Sequence, residues 1–329
     1  MQLPWLRPLW LTLRHDLAQQ RLSHAHCIAW QPELGSDRLI QQFSRLLLCQ
    51  QPQQQACGQC KSCLLAAAGS HPDYYYIDSI DDKAIGVDSV RDLTTQLQQT
   101  SNQFGAKVVW INQADRMTLT AANALLKTLE EPTADTYFIL SPRRVSSLLP
   151  TLRSRMQIHV ITSPDLNALQ QWLTQQLGRT ISAVEQQLLQ QYPQAPVQVL
   201  EWIKADNFPA DRVSVLASAW FNQQRWPDIE RGDWAGWLDA SEQLVHDLLR
   251  IQQGLGADYL RQASLFAQAK PWLQRQGISS RQLSEWLQWC YATRKLATEQ
   301  SGLNAALLLQ SLWAKWHVTS TNMRSSGVY

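Results

Sequence analysis

The first half of the chain alternates short apolar segments with longer amphipathic ones, and this alternation restricts the folds that it can adopt. The apolar spacing is helical over residues 38–49 and again over residues 119–129, and Pro132 ends the second of these segments. Strands that alternate with helices favour a parallel sheet covered on both faces. The first half is therefore predicted to form an α/β domain. The predicted strands are residues 26–30, 74–77, 108–111, 137–140 and 158–161.

The strand pattern ends near Pro164, and the remaining residues have helical patterns. Residues 166–203 predict short helices interrupted by glycine and proline, and the helical pattern continues over about residues 208–318. Ten of the 15 tryptophans lie within residues 202–316. They are expected to form a helical core, with an apolar subunit interface as the alternative. Residues 320–329 have no periodicity and predict a frayed end.

The length and the charge of the chain exclude several classes of protein. A length of 329 residues corresponds to two or three domains of roughly 100–200 residues each. There are 29 Lys and Arg against 27 Asp and Glu, so a net charge of +2 provides no overall attraction for nucleic acid or an anionic membrane. No apolar run reaches the roughly 18 residues that a membrane helix needs. Pro4, Arg7 and Pro8 interrupt the apolar N-terminus, so no secretory signal is expected.

Four cysteines fall within fifteen positions, and three of them recur at every third residue. Tetrahedral coordination by four thiolates is the arrangement of closed structural zinc sites. The sequence therefore predicts a structural zinc and, since protein fills all four positions, no zinc catalysis. Free thiols or a redox Cys-x-x-Cys pair are the alternatives, and the isolated Cys27 and Cys290 are expected to be buried core thiols. The predicted zinc ligands are Cys49, Cys57, Cys60 and Cys63.

A strand–loop–helix that begins near Cys27 lies where a nucleotide-binding protein would carry its P-loop, whose pattern is G-x-x-x-x-G-K-[ST]. Aligned with that pattern, the chain has Trp30 at the first glycine position and keeps Gly35 at the second. Ser36 replaces the lysine that binds the β- and γ-phosphates, and Asp37 replaces the Ser/Thr with a carboxylate that repels phosphate. The sequence therefore predicts that this chain binds no ATP.

The strand over residues 108–111 should be followed by the acidic pair that handles magnesium and water, but Asn112 and Gln113 follow it. These amides are near-isosteric with Asp and Glu and carry no charge, so metal binding and base catalysis are lost together. Two such losses at the correct spacing predict an ATPase architecture without ATPase chemistry. An unrelated α/β domain is the alternative.

Residues 123–132 read Asn-Ala-Leu-Leu-Lys-Thr-Leu-Glu-Glu-Pro. This segment resembles the signature helix of the AAA+ subunits of the bacterial DNA polymerase III clamp loader. Residues 151–155, Thr-Leu-Arg-Ser-Arg, resemble their Ser-Arg-Cys motif, with Met156 in place of the cysteine. The four cysteines match a zinc module inserted in the same subunits. The resemblance covers about residues 27–160, and its other matching segments are 71–73, 86–91 and 107–110.

The resemblance implies a chain that is α/β and then all-α, in three parts. These are an AAA+ (RecA-like) core over residues 1–162 with the zinc module at about 49–63, a small helical lid over 163–205 and a helical collar over 206–329. The resemblance further implies a rigid, non-catalytic stator of a DNA polymerase holoenzyme, placed between the gamma or tau ATPase subunits and the clamp-opening delta subunit. Such a subunit supports ATP-dependent loading of the sliding clamp onto primer–template DNA, in the bacterial cytoplasm at the replisome.

The Ser-Arg motif implies a role that does not require ATP binding by this chain. Arginine stabilises the charge that develops on a γ-phosphate presented by a neighbouring subunit. By the resemblance, Arg155 is the trans arginine finger, with Ser154 and Arg153 in the motif. Surface or ion-pair roles for the two arginines are the alternative. Pro142 at the sensor position and Tyr-Pro-Gln-Ala-Pro at residues 192–196 depart from active subunits and agree with a lack of ATP turnover.

Two other functions are compatible with parts of the sequence. An active AAA+ ATPase is opposed by the missing lysine and the missing acidic pair. A zinc-dependent nucleic-acid-binding protein would need a basic zinc module, yet only Arg45 and Lys61 are basic around the cysteines. A stator without intrinsic ATPase activity is therefore preferred. Its signature helix is expected to bury leucines and to leave Lys127 and Glu130 available to a neighbour.

Overall fold

The computed structural model describes residues 3–79, 83–103, 105–206, 211–222, 226–229, 233–299 and 304–321. The chain divides into two compact units, Met1–Ile181 with Tyr192–Glu201 and Ser182–Gln191 with Trp202–Tyr329. The division between core, lid and collar at residues 162 and 205 stays a prediction. Residues 322–329, most of the end that is predicted to fray, lie outside the described residues. Among the described residues, no helix is both long enough and apolar enough to cross a membrane.

The first unit is built on a parallel sheet. Within the described residues, five strands pair in the order β2–β3–β4–β1–β5, and every pairing is parallel. The predicted α/β architecture is confirmed, and each strand lies within two residues of its expected position. The strands are β1 Ala25–Ile28, β2 Tyr74–Ile77, β3 Lys107–Asn112, β4 Thr136–Ser141 and β5 Gln157–His159. The helices are α1 Arg7–Ala18, α2 Ser36–Leu48, α3 Lys61–Ala67, α4 Val87–Leu97, α5 Leu119–Glu130, α6 Pro150–Arg153 and α7 Leu166–Leu177.

The inner strand β3 shows at which edge of the sheet a ligand-binding site is expected. All six of its residues are buried, as its continuous apolar run predicts for a strand covered on both faces. Its last residue, Asn112, is the register partner of Ser141 at the end of β4. Because the strands are parallel, their carboxyl ends lie along one edge of the sheet, which is where ligands bind in open α/β proteins.

The signature helix α5 packs its apolar stripe into the core of the first unit. Thr118 caps it, because the threonine side chain accepts a hydrogen bond from Ala121 N at 3.2 Å. Leu125 and Leu129 are fully buried in a cluster that includes the apolar side of α4. Burial of these leucines is therefore confirmed, and Lys127 on the same helix is exposed.

Two buried histidines join β1 to β5. His26 Nδ1 and His159 Nε2 are 2.9 Å apart, and the two rings stack with centroids 5.1 Å apart. Burial, with His159 as a further cause, lowers the pKa of His26 to about 3, and burial also lowers the pKa of His159. Both rings are therefore neutral at physiological pH, so that two basic groups can share the interior.

The two cysteines outside the predicted zinc module are core residues. Cys27 and Cys290 are both fully buried. Burial raises the pKa of Cys27 to about 12 and also raises the pKa of Cys290. Both thiols are therefore protonated and unreactive at neutral pH, and the expectation that they are buried core thiols is confirmed.

The second unit is helical, and its core is rich in tryptophan. The ring of Trp220 lies 4.8, 4.9 and 5.0 Å from those of Trp316, Trp286 and Trp272, measured between centroids. Six tryptophans of this unit are buried among the described residues, which confirms the expected core role for them. The helices are α8 Ala183–Gln191, α10 Arg212–Phe221, α11 Trp234–Gln252, α12 Phe266–Gln276, α13 Ser280–Glu299 and α14 Ala305–Thr321, and the division between the units falls within α9 Pro196–Ala205.

Candidate functional site

The segment that the sequence aligns with a P-loop is covered by Leu3 and Trp5. Gly35 has φ +80°, in the left-handed region that favours glycine, and directly precedes α2. Leu3 packs against it, so a Cβ at this position would come within 2.2 Å of Leu3 Cδ1. Trp5 Nε1 donates to Leu34 O at 2.9 Å and attaches the same N-terminal segment to the loop. The loop therefore packs against protein where an active P-loop presents backbone N–H groups to phosphate.

Ser36 and Asp37, which the sequence aligns with the lysine and Ser/Thr positions of a P-loop, have different surroundings. Ser36 is fully buried, and its Oγ accepts a hydrogen bond from Gln31 N at 2.7 Å. This hydrogen bond lies within the loop and holds its two ends together. Asp37 Oδ1 is buried with no hydrogen-bond partner among the described residues. Neither side chain supplies a positive charge, and the Asp37 carboxylate opposes the approach of phosphate.

Trp30, at the first glycine position, contacts the segment that carries the sensor position. Its backbone N–H donates to Pro142 O at 2.7 Å. The guanidinium carbon of Arg143 lies 5.4 Å from the centre of the Trp30 ring, within the range of a cation–π interaction. A bulky indole with a basic neighbour therefore occupies the position that the sequence aligns with the first glycine of a P-loop.

Asn112 and Gln113, at the positions predicted to replace the acidic pair, both face Asp78 at the same edge of the sheet. Asn112 Nδ2 donates to Asp78 Oδ2 at 3.1 Å, and its amide oxygen accepts from Ser141 Oγ at 2.9 Å. Tyr76 OH also donates to Asp78 Oδ2, at 2.7 Å, and Gln113 Nε2 lies 3.5 Å from Asp78 Oδ1. Magnesium needs oxygen ligands turned toward it. Here the Asp78 carboxylate already accepts hydrogen bonds from its neighbours. This edge of the sheet is therefore a hydrogen-bond network and is not arranged as a magnesium site.

A cavity of about 780 Å³ lies beside this network. Two of its walls, Tyr76 and Trp110, pack edge to face with ring centroids 4.9 Å apart. Two carboxylates and one guanidinium give the described lining a net negative charge, which does not suit a triphosphate. The residues that carry this argument are Trp30, Asp37, Arg45, Tyr76, Asp78 and Trp110.

The four cysteines of the predicted zinc module converge. Their Sγ atoms all lie within 4.8 Å of one another, and those of Cys57 and Cys63 are 3.9 Å apart. Tetrahedral zinc at about 2.3 Å from each sulfur places the sulfurs about 3.8 Å apart, so the cluster has the size of a four-thiolate site. All four cysteines are free thiols. The cluster can therefore hold a metal ion, and thiolate ligands in a tetrahedron favour zinc.

Backbone N–H groups point at the sulfurs of the cluster. Cys57 N donates to Cys49 Sγ at 3.3 Å, Cys60 N to Cys57 Sγ at 3.3 Å, and Cys63 N to Cys60 Sγ at 3.4 Å. The N–H groups of Cys60 and Gln59 lower the pKa of Cys57 to about 6, whereas burial raises the pKa of Cys63 to about 12. Such N–H donors stabilise thiolates, and metal binding to the buried thiol releases its proton.

The chain is expected to purify with one zinc ion bound to this cluster. The measurement is metal analysis of protein prepared without added zinc. Cys63→Ser removes one sulfur and should lose the metal, whereas Cys290→Ser, at a buried thiol outside the cluster, should retain it. A wild-type zinc content near zero, or a disulfide among the four cysteines, would contradict the assignment.

Arg155 connects the two motifs of the resemblance. It lies just before β5, its Nη1 donates to Thr151 O at 2.8 Å, and its guanidinium pairs with Glu130 at the end of α5. Its side chain remains 34% exposed. Ser154 Oγ donates to the same carbonyl at 3.1 Å, and Arg153 is the last residue of α6. Glu130, expected to be available to a neighbour, is therefore paired within the chain.

Comparison with known proteins decides the family. A family model described as DNA polymerase III, delta subunit, matches residues 6–165. The chain is 39% identical over 239 residues to DNA polymerase III subunit delta' of Escherichia coli, covering 72% of this chain and 69% of that protein. It is 32% identical over 335 residues to subunit delta' of Pseudomonas aeruginosa, covering 95% and 96%. The chain belongs to the DNA polymerase III subunit delta' family.

Membership in the delta' family confirms the resemblance drawn from the motifs and extends it. The motifs reach only to about residue 160, whereas the match to the Pseudomonas delta' protein covers 95% of the chain and so includes the helical second unit. A solved DNA polymerase III gamma subunit-related protein of Thermotoga maritima is 17% identical, with a TM-score of 0.46 over 94% of this chain and 99% of that chain.

Two contacts made by the candidate site residues are missed by reasoning from the sequence. Asp78 directly follows β2, and the rule that carboxyl ends of parallel strands share an edge is the signal that could have placed it near Asn112. Glu130 lies 25 positions from Arg155, and no sequence pattern connects the two residues. The first contact follows from topology, and the second is visible only in the structure.

Proposed function

We propose that this chain is the non-catalytic stator of a bacterial clamp loader. It assembles with gamma or tau ATPase subunits and with a delta subunit, and it supports ATP-dependent loading of the sliding clamp onto primer–template DNA in the cytoplasm, at the replisome. Membership in the delta' family supports its place in DNA polymerase III. The observation that carries the non-catalytic part is the hydrogen-bond network at the sheet edge, in which Asn112 donates to Asp78.

Three separate features oppose ATP hydrolysis by this chain. The loop is packed against Leu3, so its backbone does not face solvent at Gly35. The hydroxyl of Ser36, at the lysine position, is already bonded to Gln31 N. Asn112 presents an amide where a magnesium site needs a carboxylate. A substitution that removes one of these obstacles leaves the other two in place. ATP hydrolysis in the assembly is therefore assigned to neighbouring subunits.

Arg155 is suited to act on the ATP of a neighbour. Its hydrogen bond to Thr151 O directs the guanidinium, while about one third of the side chain remains exposed. The group that faces it in the isolated chain is the carboxylate of Glu130. A γ-phosphate presents comparable oxygens to the planar guanidinium and carries more charge, so it can replace that carboxylate. Arg155 is therefore the proposed trans arginine finger.

The remaining parts of the chain have structural roles in this proposal. Zinc on the four cysteines crosslinks the segment after α2 to the start of α3 and takes no part in catalysis. Residues 1–162 form the AAA+ core, 163–205 the lid and 206–329 the collar. The tryptophan-rich helices support the collar role, because they form a helical body with its own apolar core, whose outer faces can pack against neighbouring subunits.

The isolated chain is expected to hydrolyse no ATP and to bind Mg-ATP no more tightly than about 1 mM, a binding free energy of about −4 kcal/mol. It should nevertheless form a complex with gamma and delta subunits. The measurements are calorimetric titration with Mg-ATP and size-exclusion chromatography of the mixed subunits, with a gamma subunit titrated in parallel. A micromolar dissociation constant would show that the loop alignment is wrong, and failure to enter the complex would contradict the stator role.

A further inference from the structure

A hydrogen-bond chain centred on His71 joins the cysteine cluster to the sheet. His71 is 6% exposed and lies between α3 and β2. Its Nε2 is 2.5 Å from Ser62 Oγ, and Ser62 Oγ donates to Leu48 O at 2.6 Å. Its other ring nitrogen, Nδ1, accepts a hydrogen bond from Asp73 N at 3.1 Å. The imidazole therefore has a partner on each side.

The directions of these hydrogen bonds follow from one backbone donor. The N–H of Asp73 can only donate, so His71 Nδ1 carries no proton and the ring proton is on Nε2. Nε2–H then donates to Ser62 Oγ, whose own hydrogen is directed to Leu48 O. Burial lowers the pKa of His71 and so favours this neutral form of the ring. Each donor in this series of hydrogen bonds has an acceptor, and all the donors point in the same direction along the series.

The partners on the module side belong to two different cysteine-bearing segments. Ser62 lies between Cys60 and Cys63 at the start of α3 and is 1% exposed. Leu48 is the last residue of α2 and directly precedes Cys49. The hydrogen bond from the serine to the leucine carbonyl therefore sets the separation of the two segments, and the imidazole orients the hydroxyl that makes this bond.

On the other side, Asp73 attaches the imidazole to the sheet. Asp73 is fully buried, and its carboxylate accepts from Asn102 N at 2.7 Å and from Gln103 N at 2.9 Å. Its carbonyl oxygen accepts from Val108 N, on β3, at 2.9 Å. One end of the chain of hydrogen bonds is therefore a rigid part of the fold, and the other end is the backbone around the predicted zinc ligands.

We propose that His71 is a positioning residue for the zinc site, which fixes the two ligand-bearing segments relative to each other without binding the metal. This inference rests on the zinc assigned above. Ligands already placed at the correct separation need less ordering when the metal binds and separate less readily once it is bound. Outer-shell groups of this kind change metal affinity by about 10–100-fold. Since His71 acts through Ser62, the lower end of that range is expected.

The experiment measures zinc release from the full-length chain to an excess of the chromogenic chelator 4-(2-pyridylazo)resorcinol. His71→Ala and Ser62→Ala are expected to release zinc about tenfold faster than wild type. The double variant should release zinc no faster than His71→Ala, because both changes interrupt the same series of hydrogen bonds. His71→Gln retains an N–H near the end of its side chain and should recover part of the loss. Ser62→Ala removes only a hydroxyl and tests the idea independently of whether His71→Ala folds.

His159→Ala is the matched control. His159 is also 6% exposed, loses its 2.9 Å contact with His26 when replaced, and lies on β5, at the opposite edge of the sheet from β2. It should release zinc at the wild-type rate. Wild-type release from both Ser62→Ala and His71→Ala, or equal acceleration in His159→Ala, overturns the positioning role. A wild-type chain that carries no zinc overturns the zinc assignment, and this inference with it.

Discussion

Arg155→Ala is expected to slow clamp loading by a reconstituted loader while leaving the chain folded. Arginine fingers contribute on the order of 10³–10⁵ to the rate at a single site in GTPases. If Arg155 is the arginine finger, one neighbouring site loses its transition-state cation in this variant. The bulk rate of ATP hydrolysis should fall by less than the rate at that site, because the other sites keep their own arginines. Clamp loading should fall further than bulk hydrolysis if every site must act before the clamp is released.

The structure explains why this substitution should not unfold the chain. The side chains of Arg155 and its partner Glu130 are 34% and 48% exposed. Ion pairs of such exposure contribute about 0–1 kcal/mol to stability. Met156, the next residue, is buried and keeps its contacts with the core. An unchanged melting temperature and zinc content would therefore assign any loss of loading to the missing guanidinium.

Two further variants sharpen the assignment of the arginine. Arg153→Ala, at the end of α6, is the matched control within the same motif and should load clamps at the wild-type rate. Arg155→Lys keeps the charge but not the planar fork, so it should recover only part of the activity. Wild-type loading by Arg155→Ala would place the finger elsewhere, and impairment of Arg153→Ala alone would transfer the role to that arginine.

Trp220→Ala is expected to lower the free energy of unfolding of the second unit by about 3–5 kcal/mol. Trp220 is 2% exposed, and its ring contacts those of Trp272, Trp286 and Trp316 at 4.8–5.0 Å between centroids. Truncation removes the buried surface and these aromatic pairs, and it leaves a cavity between helices that can relax only in part. Urea unfolding followed by circular dichroism measures the change.

The controls for this variant separate core packing from a general effect of aromatic substitution. Tyr259→Ala, at a side chain that is 67% exposed, should change the stability by less than about 0.5 kcal/mol. Trp220→Phe keeps an aromatic ring and should cost less than alanine. A loss below about 1 kcal/mol for Trp220→Ala would contradict the central place of this residue in the core. If the second unit is the collar, Trp220→Ala should also enter the clamp loader poorly.

Much of the fold can be predicted from the sequence, because its elements have strong local patterns. The run over β3 is apolar at consecutive positions, and the observed strand Lys107–Asn112 extends the predicted one by a single residue at each end. The leucines of α5 recur at helical spacing, and the helix ends at Glu130, just before Pro132 as expected. These patterns depend on residues a few positions apart, so the order of residues in the sequence is enough to reveal them.

The candidate sites likewise have parts that local sequence patterns predict and parts that depend on distant residues. Cysteine spacing predicts the cluster, since Cys57, Cys60 and Cys63 are close in the chain and can converge by a local turn. The substitutions at Ser36 and Asn112 can likewise be read one residue at a time against a known motif. In contrast, Asp78, the carboxylate that Asn112 contacts, lies 34 positions away from it in the sequence.

The sequence by itself therefore determined the α/β and helical halves and the thiolate cluster, and it predicts the missing ATPase residues and the arginine motif. Only the tertiary structure decided that Leu3 covers Gly35 and that Glu130 pairs with Arg155. The physical reason is the range of the interactions. Hydrophobic periodicity and ligand spacing act within one or two turns of the chain, whereas these contacts depend on strand order and helix packing, which form only when distant segments bury their apolar faces together.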